Sequence, residues 1–148
     1  MSNPIIEYYE NGNIKSKNYY NDNNQIHRKN DKPAFISYYE NGNIESEEYY
    51  NDNDQRHREN DKPAAIEYYE NGDIHYEEYY INNQYHREND KPAFMVYYEN
   101  GNIKYEDYYI NGQRHRENDK PASISYYENE NIKSEWYYIN NQLHRCAE

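Results

Sequence analysis

Tyr97-Tyr98-Glu99-Asn100-Gly101-Asn102-Ile103-Lys104-Tyr105-Glu106-Asp107-Tyr108-Tyr109-Ile110-Asn111-Gly112-Gln113-Arg114-His115-Arg116 is the stretch that decides the fold. Two Asn-Gly pairs punctuate it, and Asn-Gly is the preferred two-residue hairpin loop because both central positions take positive φ. With Asn100-Gly101 as the first loop, Tyr98 faces Ile103, Tyr97 faces Lys104 and Val96 faces Tyr105. With Asn111-Gly112 as the second, Tyr109 faces Arg114, Tyr108 faces His115 and Asp107 faces Arg116. Strand alternation then sorts the side chains into two faces. One carries Phe94, Val96, Tyr98, Ile103, Tyr105 and Tyr109; the other carries Met95, Tyr97, Lys104, Glu106, Tyr108 and His115. Both faces acquire an aromatic row. No apolar stripe at i, i+3, i+4, i+7 supports a helix anywhere in the chain.

The same phrase recurs along the molecule. Tyr-Tyr-Glu-Asn begins at Tyr8, Tyr38, Tyr68, Tyr97 and Tyr126, with periods of 30, 30, 29 and 29. A second Tyr-Tyr begins at Tyr19, Tyr49, Tyr79, Tyr108 and Tyr137, so the ten pairs hold 20 of the 23 tyrosines. Each unit reads as strand a (Pro-Ala-x-Ile-x-Tyr-Tyr-Glu), strand b (Asn-Ile-x-x-x-x-Tyr-Tyr) and a short strand c (Gln-x-His-Arg), joined to the next by Asn-Asp-Lys-Pro-Ala, as at Asn60–Ala64 and Asn118–Ala122. The one-residue difference in period falls in the second loop. In the fifth unit Asn129-Glu130 replaces Asn-Gly, and Glu tolerates positive φ poorly. Residues 1–148 are therefore expected to form one repeat domain, its fifth unit truncated after His144-Arg145. The expected fold is all-β: an elongated single-layer antiparallel meander of about five β-hairpin repeats of 29–30 residues.

Composition agrees once tyrosine is counted. Leu, Ile, Val and Phe supply only 18 of 148 residues, the net charge is -12 and the mean hydropathy is -1.63, values typical of disorder. The tyrosine rings point the other way, because each can be buried with its hydroxyl left wet. No stretch is long and apolar enough to span a membrane, and Met1–Glu10 lacks the pattern of a signal peptide. Cys146 is the single cysteine, and 25 Asn include no Asn-x-Ser/Thr acceptor, so an intracellular setting is expected. The acidic balance argues against nucleic acid and anionic membranes and favours a basic protein partner.

Candidate residues follow the same period. The His-Arg ladder is His27-Arg28, His57-Arg58, His86-Arg87, His115-Arg116 and His144-Arg145. The turns set Glu78 opposite Arg87 and Asp107 opposite Arg116, cross-strand pairs of about 0.2–1 kcal/mol each. A partner- or anion-binding stripe is the functional alternative, since the Arg fork matches carboxylate and phosphate. Trp136 stands opposite Arg145, an arrangement suited to a cation–π contact. Asp31, Asp61, Asp90 and Asp119 read as turn builders. Histidines one repeat apart do not converge as metal ligands must, so no metal is expected. Catalysis needs a unique cleft, whereas repeats make equivalent ones; with no phosphate loop, nucleophile elbow or His-Glu-x-x-His, neither an enzyme nor a cofactor is expected. One tyrosine row is expected to be core and the other a platform for a partner. The candidate partner-binding residues are Tyr38, Tyr68, Tyr97 and Tyr126; Tyr49, Tyr79, Tyr108 and Tyr137; and His57, Arg58, His86, Arg87, His115 and Arg116.

The repeated Tyr-Tyr-Glu-Asn-Gly-Asn-Ile, followed by Tyr-Tyr-Ile-Asn-Gly-Gln-Arg-His-Arg, resembles the MORN-repeat variant family over residues 5–145. The His-Arg…Asp-Lys-Pro-Ala link is similar to that of the multi-copy forms in giant DNA viruses of amoebae (mimivirus-type), which are related to bacterial MORN-like proteins described as antitoxins. The resemblance implies an elongated single-layer meander serving in protein–protein contacts, and in some members in dimerisation or membrane association. It carries no catalytic residues. The longer period and the absence of the usual Gly after the His argue against transferring lipid binding. A viral source would imply the host cytoplasm or the virion. The expected function is a non-enzymatic scaffold that binds another protein, or a second copy of itself as a homo-oligomer, through its aromatic rows or an edge strand. The alternatives are a carbohydrate- or choline-type aromatic repeat module and an antitoxin-like inhibitor.

Overall fold

A computed structural model describes residues 3–147. Fifteen strands and no helix occur among them: β1 (Ile5–Tyr8), β2 (Ile14–Asn18), β3 (Phe35–Tyr38), β4 (Ile44–Glu48), β5 (Ala65–Tyr68), β6 (Ile74–Glu78), β7 (Tyr80–Ile81), β8 (Gln84–Tyr85), β9 (Phe94–Tyr97), β10 (Ile103–Asp107), β11 (Tyr109–Ile110), β12 (Gln113–Arg114), β13 (Ser123–Tyr126), β14 (Ile132–Ile139) and β15 (Gln142–Ala147). Eleven of them make one antiparallel sheet in the order β1-β2-β3-β4-β5-β6-β9-β10-β13-β14-β15, while β7-β8 and β11-β12 form separate two-stranded ribbons. The all-β meander expected from the repeats is the architecture observed.

The first turn is built differently from the expectation. Tyr98 N–H donates to Asn102 O and Gly101 N–H donates to Tyr98 O, both at 2.9 Å, so the loop has three residues, Glu99-Asn100-Gly101. Gly101 alone of the pair takes positive φ, at 85°. Asn100 serves through its side chain: Oδ1 accepts the Asn102 N–H at 2.9 Å, the turn-mimicking bond of Asx residues. A β-bulge follows. Ile103 pairs with Tyr97 and Tyr105 with Val96, leaving Lys104 as the extra residue. The bulge restores the residue that the longer loop removes, so Val96 faces Tyr105 as expected, while the Tyr98–Ile103 and Tyr97–Lys104 pairs are corrected. Ile103 and Lys104 thereby exchange faces. Ile103 joins Tyr97, and the Lys104 ammonium lies 5.4 Å from the Tyr98 ring on the opposite side. The same shift recurs between Ser37/Tyr38, Glu67/Tyr68 and Ser125/Tyr126.

The second turn has the expected two-residue form, with Asn111 at φ 49° and Gly112 at 76°. Tyr109 faces Arg114, and His115 N–H donates to Tyr108 O at 3.0 Å. There the pairing ends. Tyr108 N–H donates to Ala122 O of the next unit at 2.8 Å, and Asp107 pairs in the main sheet with Phe94 and Ser123, not with Arg116. Strand c therefore leaves the sheet as a small ribbon, reduced in the first two units to the single bridges Tyr20–Ile26 and Tyr50–Arg56. The ribbons and loops stack on one another. Asn83 N–H donates to Arg56 O (2.9 Å), Gly112 N–H to Tyr85 O (2.9 Å) and Asn141 N–H to Arg114 O (3.0 Å), a second ladder beside the sheet.

Ala34, Ala64, Ala93 and Ala122 are fully buried where the two ladders meet. Each donates its N–H to strand b of its own unit, at Glu48, Glu78, Asp107 and Trp136, and accepts from the unit before. Pro4 aligns with these alanines in the first unit. The fifth unit keeps its strand c in the main sheet. Its tail doubles back as β15 along β14, with Trp136 opposite Cys146 and Tyr137 opposite Arg145, which corrects the Trp136–Arg145 pairing.

Candidate functional site

Sheet register puts a row of alternating aliphatic and acidic side chains on one face. Ile66 lies between Glu47 and Glu77, Met95 between Glu77 and Glu106, and Ile124 between Glu106 and Glu135. The tyrosine two positions further along strand a reaches one unit back. Tyr68, Tyr97 and Tyr126 hydroxyls donate to Glu47 (3.0 Å), Glu77 (2.7 Å) and Glu106 (2.9 Å). Burial, reinforced by these carboxylates, holds the three phenols well above their ordinary 10.0. In the first unit the acid is replaced by Lys17, whose ammonium sits 5.1 Å from the Tyr38 ring.

The same tyrosines each face an isoleucine across the hairpin: Tyr8–Ile14, Tyr38–Ile44, Tyr68–Ile74, Tyr97–Ile103 and Tyr126–Ile132. Pair after pair they make an apolar stripe across the whole sheet. Part of it is open to solvent, with Tyr8 59 %, Ile44 38 %, Ile74 38 % and Ile132 55 % exposed.

The second set of expected tyrosines lies deeper. Tyr49, Tyr79 and Tyr108 are buried, and the Arg58, Arg87 and Arg116 guanidinium carbons stack 3.5, 3.6 and 3.6 Å from their ring centres. Arg145 stacks on Tyr137 at 3.8 Å, so Tyr137 and not Trp136 receives the cation. Each inner Arg also holds the carbonyl of the proline five residues on and the aspartate of the preceding loop: Arg58–Asp31 at 2.7 Å, Arg87–Asp61 at 2.6 Å, Arg116–Asp90 at 2.7 Å. Lys62, Lys91 and Lys120 close on the same aspartates. Hydrogen bonds from Arg and Lys lower those three carboxyls from 3.8 to about 2. The expected Glu78–Arg87 and Asp107–Arg116 pairs are thus replaced by links between units. The aspartates do occupy positive-φ turn positions, and their carboxylates additionally bind the next repeat.

His57, His86 and His115 complete the junction. Their Nδ1 atoms accept the backbone N–H of Asn82 (3.3 Å), Asn111 (3.2 Å) and Asn140 (3.3 Å) in the next unit, which places the ring proton on Nε2. No group of three or more His, Cys, Asp or Glu side chains converges as metal ligands would among the described residues. The clefts between units, 410 and 400 Å³, are lined by these already paired charges.

The opposite face holds a network that the repeat pattern alone does not announce. Arg56 makes two 3.0 Å bonds to Glu48, Tyr85 hydroxyl bonds Glu78, and Arg114 bonds Asp107. Tyr80 stacks on Tyr85 at 4.3 Å and Tyr85 on Tyr109 at 4.9 Å. Burial raises the Glu78 carboxyl and pushes Tyr50 up to about 12. A sequence signal for it exists: an acid stands directly before the second Tyr pair in units two to four, and Arg, Tyr or Arg directly before the His.

Tyr9, Tyr39, Tyr69 and Tyr98 hydroxyls also donate across junctions, to the carbonyls of Tyr38, Tyr68, Tyr97 and Tyr126 at 2.7–2.8 Å. The recurring hairpin of each unit is what comparison with known families recognises. The MORN repeat variant model matches residues 4–22, 34–52, 64–82, 94–111 and 122–140, each match covering strands a and b of one unit. Comparison with curated proteins finds no match. No helix among the described residues is long and apolar enough to cross a membrane. With five successive matches over more than half its length, the chain belongs to the MORN repeat variant family.

Proposed function

We propose that the chain is a non-enzymatic scaffold that binds another protein through the exposed Tyr–Ile stripe. The observation that carries this reading is the row of five Tyr–Ile pairs across a folded sheet, with Tyr8, Ile44, Ile74 and Ile132 open to solvent, since exposed apolar surface marks interaction sites. Of the candidate residues, Tyr38, Tyr68, Tyr97 and Tyr126 belong to this stripe. Tyr49, Tyr79 and Tyr108, with the His-Arg ladder, hold one unit to the next. The net charge of -12 favours a basic partner. A second copy carries the same charge, so the partner is read as a different protein. An intracellular setting rests on composition, and a giant-virus source on the link phrase alone.

The test compares the native chain with an Ile44→Ser, Ile74→Ser, Ile103→Ser variant whose far-ultraviolet spectrum is unchanged. Immobilised in extract of the native host, the native chain should retain a protein that the variant loses. Retention of the same proteins by both would overturn the assignment to this stripe.

A further inference from the structure

The stripe and the acid row share one period, and that period selects the shape of the partner. Two strands per unit at about 4.8 Å advance the pattern by about 9.6 Å per repeat. Glu47, Glu77, Glu106 and Glu135 recur at this step, below the pairs Tyr38–Ile44, Tyr68–Ile74 and Tyr97–Ile103. A chain lying along the stripe must present a positive side chain to the same side at each step. A polyproline II helix rises about 9.3 Å per three-residue turn and returns every third side chain to one face. A β-strand covers about 10 Å in three residues, but its period of two turns the third side chain away. An α-helix needs seven residues, about 10.5 Å, and falls out of step by nearly 3 Å over the three intervals between four acids, against about 1 Å for polyproline II. Tyrosine-lined surfaces suit polyproline II, and a helix with no internal hydrogen bonds follows the twist of a sheet.

Resting on the stripe assignment above, we infer that the partner segment is an extended polyproline II stretch with Lys or Arg at every third position. It crosses the sheet from the second unit to the fifth and pairs its cations with Glu47, Glu77 and Glu135, passing over Glu106, which is buried with its carboxylate held by the Tyr108 and Tyr126 hydroxyls. Lys17 marks where the acid track ends, because the first unit has a cation in that row.

The probe is a synthetic peptide of Pro with Lys at every third position, long enough to run from Glu47 to Glu135. Its control is an isomer of identical composition with the lysines bunched at one end. Fluorescence anisotropy at low and high salt should show the periodic peptide binding about tenfold tighter than the isomer, an advantage that salt removes. A Glu47→Gln, Glu77→Gln variant keeps the acceptors for the Tyr68 and Tyr97 hydroxyls, and should lose most of that advantage with its melting temperature little changed. Equal affinity for the two peptides, or no binding of either, overturns the polyproline II inference. The host-extract comparison decides the stripe assignment separately: a protein held by the native chain and lost by the Ser variant sustains the stripe even if the peptides fail.

Discussion

Arg87 shows how much one side chain carries in this fold. It stacks on Tyr79 at 3.6 Å, bonds Asp61 at 2.6 Å and the Pro92 carbonyl at 3.1 Å, and its side chain is only 14 % exposed. As an exposed cross-strand pair it would contribute at most about 1 kcal/mol. With stacking and charge-assisted bonds together, Arg87→Ala should cost about 2 kcal/mol, read as a lowered urea midpoint with unchanged slope. Its partner makes stability pH-dependent. Asp61 is lowered from 3.8 to about 2 by bonds from Arg87 and Lys91, so its contribution is full above the unfolded value and is lost as pH falls from about 4 toward 2. Asp61→Asn should flatten the acid limb of the stability curve in that window. At a side chain 43 % exposed, screening keeps the loss at neutral pH below about 1 kcal/mol.

At the scale of the element, the hairpin turn governs both register and face. Four units place Gly at the left-handed position, and the fifth places Glu130 there at φ 66°. Its N–H still donates to Tyr127 O at 2.9 Å, so the turn closes with a strained residue. Glu130→Gly should therefore stabilise the last hairpin by about 1 kcal/mol, seen as a raised melting temperature. The Asn-Gly pair announced a hairpin from sequence alone, and the Val96–Tyr105 register followed from it. Three-residue and two-residue loops share that dipeptide, however, and nothing in it reveals a compensating bulge. The three-residue loop sets Ile103 opposite Tyr97 instead of Tyr98, and the bulge then returns Tyr105 to Val96, so the loop decides which tyrosine of each pair joins the stripe.

At the scale of the whole molecule, tyrosine chemistry sets the upper pH limit. Burial pushes Tyr50, Tyr79 and Tyr105 from 10.0 up to about 12, and many other tyrosines are raised for the same reason. Raised phenol values leave stability unchanged below pH 10 and erode it as pH climbs from 10 to about 12. Phenolate absorbance from these raised tyrosines should therefore appear late and cooperatively, coincident with loss of the β spectrum; their gradual titration with the sheet intact would contradict a tyrosine core. Period, strand content and a core made of rings were determined by the sequence itself, because alternation and turn chemistry act between near neighbours along the chain. Which tyrosine row is buried, which acid each Arg holds and where strand c goes were decided only in three dimensions. Those contacts join residues about one repeat apart, and their partners depend on how stacked units align rather than on any local rule. The last unit illustrates the difference: β14 pairs with β15 of its own unit, whereas strand b of each earlier unit pairs with strand a of the next.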